Sequence, residues 1–112
     1  MKAAFAIEAG RLRDEAGLTA EQISRATGAA PSTVRGWIGR RSAPGGRRAD
    51  RIAELSAIID RLERVMPKEY IPVWLSKPLE ALNEKKPLEL IAVGKFRQLA
   101  EIISGIEDPG AV

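Results

Sequence analysis

The chain has 112 residues with a net charge of +3, 45% hydrophobic and only 4% aromatic residues, and neither His nor Cys. That is one small domain, or two very small ones sharing a core built from Ala, Leu, Ile and Val. It excludes disulfides, Cys- or His-rich zinc sites, catalytic thiols and imidazole acid–base chemistry, so a binding module is expected rather than an enzyme, with no metal and no cofactor. No apolar run approaches the roughly 20 residues of a membrane span, and Glu8 interrupts the start too early for a signal-peptide core. A soluble, cytoplasmic protein is expected. Charge is unevenly spread. Residues 1–66 hold twelve basic and eight acidic side chains, eleven of the basic ones Arg; residues 67–112 hold six and seven, five of the basic ones Lys. Arg suits bidentate phosphate and guanine contacts, whereas Lys is mainly a solvated point charge.

The periodicity predicts an all-α fold. Phe5, Ala9, Leu12 and Ala16 form one face of a helix ending near Gly17. Thr19 as N-cap and Gln22 three residues on make a capping box, and Leu18 with Ile23 makes a hydrophobic staple. This second helix stops at Thr27-Gly28, where Gly can adopt a left-handed turn. Pro31 suits the first position of a third helix, with Val34, Trp37 and Ile38 inward. Residues 39–46 read as a loop. A long helix follows over about Ala49 to Met66, ended by Pro67. Its positions Ile52, Leu55, Ile59, Leu62 and Met66 step three-four-three-four, which fits either a packed core or a dimer seam. Prolines at 67, 72, 78 and 87 then break the chain into short helices over 70–76, 79–83 and 88–92. A longer one spans 95–104, and 105–112 read as a tail. The organisation expected is a front unit over 1–66 and a rear unit over 67–112.

Residues 20–39 fit a helix-turn-helix. Close crossing of two helices calls for a small residue on the first, Gly in the turn and apolar residues inside the second; Ser24, Gly28, Val34 and Trp37 supply them. The outward side of the second helix offers Ser32, Thr33 and Arg35 to phosphates or base edges. Arg40, Arg41, Arg47 and Arg48 flank it where a DNA backbone would pass. With about five Arg on phosphates, log affinity should fall against log salt with a slope near −4 to −5. Such a unit reads few base pairs alone, so a homo-oligomer on operator DNA is expected.

The rear half carries Trp74-Leu75, Pro78, Leu82, Pro87-Leu88-Glu89-Leu90-Ile91, Gly94 and the run Phe96 to Ile106. In order and spacing this resembles the Xre/MbcA/ParS-type antitoxins, which join an Xre-like helix-turn-helix to a C-terminal toxin-binding domain. The sequence departs from that pattern at Leu79, where Asn is common, and at Asn83-Glu84-Lys85-Lys86, where the turn is usually Gly-rich. The resemblance implies a RES-domain toxin partner that consumes NAD+, an active site masked by the antitoxin's C-terminal end, and repression of the shared promoter. The toxin-binding residues it implies are Arg97, Glu101, Ser104, Gly105, Ile106, Glu107, Asp108, Pro109, Gly110, Ala111 and Val112. The carboxylates of Glu107, Asp108 and the chain end would stand in for a dinucleotide's pyrophosphate. The alternative is a stand-alone phage-type repressor whose rear half only dimerises.

Overall fold

The computed structural model describes residues 2–108 and 110. Among them seven α-helices follow one another: α1 (Lys2–Asp14), α2 (Ala20–Thr27), α3 (Pro31–Ile38), α4 (Gly46–Leu62), α5 (Ile71–Leu75), α6 (Pro87–Ala92) and α7 (Phe96–Glu107). Short 3₁₀ turns occupy Lys68–Tyr70 and Glu80–Leu82. No β-strand occurs among the described residues; a single antiparallel bridge joins Leu79 and Lys85. None of these helices is long and apolar enough to cross a membrane.

The local rules at α2 hold. The Gln22 N–H donates to Thr19 Oγ1 at 3.0 Å and the Thr19 N–H donates to Gln22 Oε1 at 3.1 Å. Two orphan donors at the helix start are thereby satisfied. Gln22 also reaches beyond its own helix: Nε2 donates to the Pro72 carbonyl at 2.9 Å and to Ser76 Oγ at 2.8 Å. One side chain therefore caps α2 and ties it to α5. Gly28 ends α2 at φ +78, the left-handed conformation that costs other residues roughly 1–2 kcal/mol. Two hydroxyls lock the turn that follows. Thr27 Oγ1 donates to the Ile23 carbonyl at 2.8 Å and accepts from the Ala29 N–H, while Ser24 Oγ donates to the Ala29 carbonyl. Pro31 opens α3, and Ala30 before it offers no side-chain cap.

A single cluster of buried side chains runs through the whole chain. Leu12, Leu18, Ile23, Val34 and Trp37 from the front meet Ile71, Trp74, Leu75, Leu88, Ile91, Leu99 and Ile103 from the rear. Helix α6 packs directly on α2, and α4 touches α1, α2, α6 and α7. The two halves thus share one core, and Trp74 is one of its anchors.

Three expectations need correction. Ile52, Leu55, Ile59 and Leu62 are buried within the chain, and Met66 packs against the same core. The three-four spacing therefore serves intrachain packing, and no apolar seam remains on α4 for a second copy. Helix α4 also begins and ends earlier than its apolar pattern suggested. Gly45 and Gly46 start it, and after Leu62 the chain turns through Val65 and Met66, whose N–H groups both donate to the Leu62 carbonyl. At the other end, Gly105, Ile106 and Glu107 belong to α7 rather than to a tail.

The turn over 83–86 solves its departure from a Gly-rich sequence by strain. Asn83 and Glu84 both take positive φ, +56 and +66. Asn tolerates this region; Glu does so at a cost. Hydrogen bonds from the Glu84 N–H to the Leu79 carbonyl and from the Leu79 N–H to the Lys85 carbonyl hold the turn closed.

Candidate functional site

Helix α3 turns one stripe inward and another outward. Val34, Gly36 and Trp37 are buried, while Ser32 and Arg35, three residues apart, lie exposed on one face. Thr33 is half-buried at the edge of that face. The backbone after α3 folds back tightly: the Gly36 carbonyl accepts from the Arg41 and Ser42 N–H groups at 2.9 and 3.3 Å. This turn forces Arg40 to φ +59. A β-substituted residue in that conformation is strained, and strain of this kind persists where the surroundings impose it.

Arg40, Arg41, Arg47 and Arg48 are all exposed, and none forms an ion pair among the described residues. Arg47 and Arg48 stand in the first turn of α4, which holds no acidic residue and no side-chain cap. Cations at that end oppose the helix dipole, each by about 0.3–1 kcal/mol. A bound phosphate would reverse that sign by accepting from the same backbone N–H groups. The seven residues expected to touch DNA thus come from three consecutive pieces: α3, its following turn and the start of α4.

Arg35 is the exception to this lack of partners. Its Nη2 lies 2.5 Å from Glu21 Oε2 in the first turn of α2. Sequence reasoning passed over Glu21, because a pair fourteen residues apart has no helical spacing to betray it.

At the rear, α7 buries Leu99 and Ile103 and packs Phe96 and Ile102 against the core. Arg97, Glu101 and Ser104 step by four and three and are exposed, so they share its outer face, and Asp108 is exposed just past its end. Gly105 lies beside them. Ile106 emerges on nearly the opposite side and is 39% exposed. Glu107 turns inward, where the Arg61 guanidinium on α4 clasps its carboxylate at 2.5 Å and donates to Ser104 Oγ at 2.9 Å. The hydrogen bond from Arg61 holds the Glu107 carboxyl below the usual carboxylate range, and the same bond raises Arg61. Glu107, expected as a pyrophosphate mimic, is thus paired with a cation of its own chain. Pro109, Ala111 and Val112 lie outside the described residues.

Other charges pair locally along their helices. The ion pairs formed are Arg11 with Glu8 and Glu15, Arg13 with Asp14, and Arg51 with Glu54. Among the described residues no three His, Cys, Asp or Glu side chains gather as a metal site.

No family model matches the chain. Over 92 residues, however, it is 27% identical to a curated protein of Mycobacterium tuberculosis, and equally to its Mycobacterium bovis counterpart. The alignment spans 82% of this chain and 81% of each relative. The chain is similar to the mycobacterial cidal antitoxin MbcA. Its fold agrees as well. A chain in the crystal structure of the M. tuberculosis MbcT–MbcA toxin–antitoxin complex superposes with a TM-score of 0.79 at 25% identity, covering 96% of both chains. The likeness to MbcA-type antitoxins therefore extends through front and rear halves alike.

Proposed function

We propose that this chain is an antitoxin that binds a RES-domain, NAD+-consuming toxin through its rear half and represses its own operon through α3 and the flanking arginines. The observation that carries the antitoxin reading is the likeness to MbcA over 82% of the chain, joined by a fold match over 96% of it to a chain of the MbcT–MbcA complex. The operator reading draws on Arg40, Arg41, Arg47 and Arg48 around α3, whose charge meets no carboxylate among the described residues.

The toxin contact is assigned to the outer face of α7, with Arg97, Glu101, Ser104 and Gly105, and to the segment that follows Glu107. Because residues 105–107 are already helical, fewer residues must be ordered on binding. At roughly 1–2 kcal/mol per residue, three pre-ordered residues save about 3–6 kcal/mol. A free peptide of residues 105–112 lacks that saving, since so short a helix does not form alone, and is expected to inhibit poorly.

Co-expression with the protein encoded by the neighbouring reading frame, followed by co-purification and measurement of cellular NAD+, tests the proposal. A stable complex with NAD+ preserved is expected. Removal of residues 108–112 should spare folding and DNA binding but release NAD+ consumption. Retained neutralisation would sink the plug, and NAD+ loss in the presence of the intact chain would sink the antitoxin reading.

One observation favours the second reading, a stand-alone repressor: Glu107 is engaged by Arg61 of its own chain, as it would be if the rear half only completed the fold. A RES-type neighbouring gene favours the antitoxin; its absence favours the repressor.

A further inference from the structure

We propose that Glu21 is a specificity-determining residue for DNA, acting through Arg35; this rests on the operator-binding reading above. Arg35 is the one α3 side chain suited to bidentate guanine contact. Its guanidinium is already held by the Glu21 carboxylate, reached across the turn from α2. Both side chains are more than half exposed, at 55% and 62%, so burial does not force the pair. Glu21 also has a nearer candidate, Arg25, one helical turn away on α2, yet the pair formed is with Arg35. Glu21 itself is well placed in the first turn of α2, where the helix dipole favours an anion.

The consequence follows from what the two classes of DNA offer. In a helix-turn-helix, the first helix crosses the phosphate backbone while the second enters the groove. On non-cognate DNA, Arg35 gains only a phosphate, and Glu21 already satisfies it. Arg35 then contributes no contact and releases no counterion. On cognate DNA, a guanine edge offers two acceptors in the groove and repays the loss of the carboxylate. Glu21 therefore lowers non-specific affinity more than specific affinity.

The test compares wild type, Glu21→Gln, Arg35→Ala and the double variant. Each is titrated against a duplex taken from immediately upstream of the chain's own reading frame and against a scrambled duplex of equal length, across a salt series. Thermal melts verify that all four proteins are folded. For Glu21→Gln, affinity for the scrambled duplex should rise about two- to five-fold, the range set by releasing one exposed ion pair. The log–log salt slope should steepen by about 0.9, one added phosphate contact. The upstream duplex should change less, so the ratio of the two affinities falls. In the Arg35→Ala background Glu21→Gln should change nothing. An equal gain in that background would mean simple repulsion of DNA by the carboxylate and overturns the proposal. So would an equal gain on both duplexes, or no gain at all. If folded wild type shows no salt-dependent binding to either duplex, the operator reading fails and takes this inference with it.

Discussion

The arginines around α3 and Arg61 near the end of α4 are treated in opposite ways. Around α3, Arg40, Arg41, Arg47 and Arg48 stand in solvent without a carboxylate, one on a strained backbone and two at the wrong end of a helix dipole. At the contact between α4 and α7, Arg61 is spent on Ser104 and Glu107 of the same chain. A paired arginine explains itself by the element it fastens. The unpaired cluster fastens no element among the described residues, and the operator contact proposed above would give it a partner. The front of the molecule thus differs from the α4–α7 contact, which is a fastening.

The largest effect that bears on this contrast concerns α4, which belongs to both regions. Leu55→Ala is expected to destabilise the fold by about 2–5 kcal/mol, the range for emptying a buried leucine site. The denaturant midpoint should not depend on protein concentration. A strong concentration dependence in the wild type would restore the dimer seam and break the comparison. Next, Arg41→Ala, Arg47→Ala and Arg48→Ala combined should weaken duplex binding on the order of a hundredfold at about 0.1 M salt. Each lost phosphate contact should flatten the salt slope by about 0.9. Stability should not fall, and loss of Arg47 and Arg48 from the first turn of α4 should raise it by about 0.3–1 kcal/mol each.

Arg40→Gly separates binding from folding in one residue. Relieving the positive φ should stabilise the protein by about 0.5–1 kcal/mol, while duplex affinity falls. A fall in stability would show that the Arg40 side chain is structural after all.

The smallest effect is a pH dependence at Glu107. Its carboxyl is held below the ordinary range when folded, so the clasp contributes fully above the unfolded value. The contribution fades as pH falls through the depressed folded value. Stability of wild type and Glu107→Gln should therefore differ at neutral pH and converge in acid. A constant offset down to the lowest pH would remove the clasp from the account.

What the sequence made legible was local. Thr19, Gln22, Gly28 and Pro31 each follow a rule that operates within a few residues, and each is found as expected. What it hid was distant. Gly105 reads as a helix stop because Gly forms helix poorly, yet α7 continues through it, clasped by Arg61 from 43 and 46 residues away. The seam of α4 was ambiguous because a three-four spacing describes a stripe without saying what covers it; α1, α2, α6 and α7 cover it here. Of the front surface, the exposed residues on α3 were readable from its period. The Glu21–Arg35 pair was not, because it depends on how two helices cross.

Gln22 has a consequence for how such a protein can be taken apart. The amide that starts α2 also grips Pro72 and Ser76, so cutting at the proline after Met66 would strip a strut from the front half itself. Evolution could not graft this front onto an unrelated rear without rebuilding that grip. Inheritance of the two halves as a single unit is the outcome such wiring enforces.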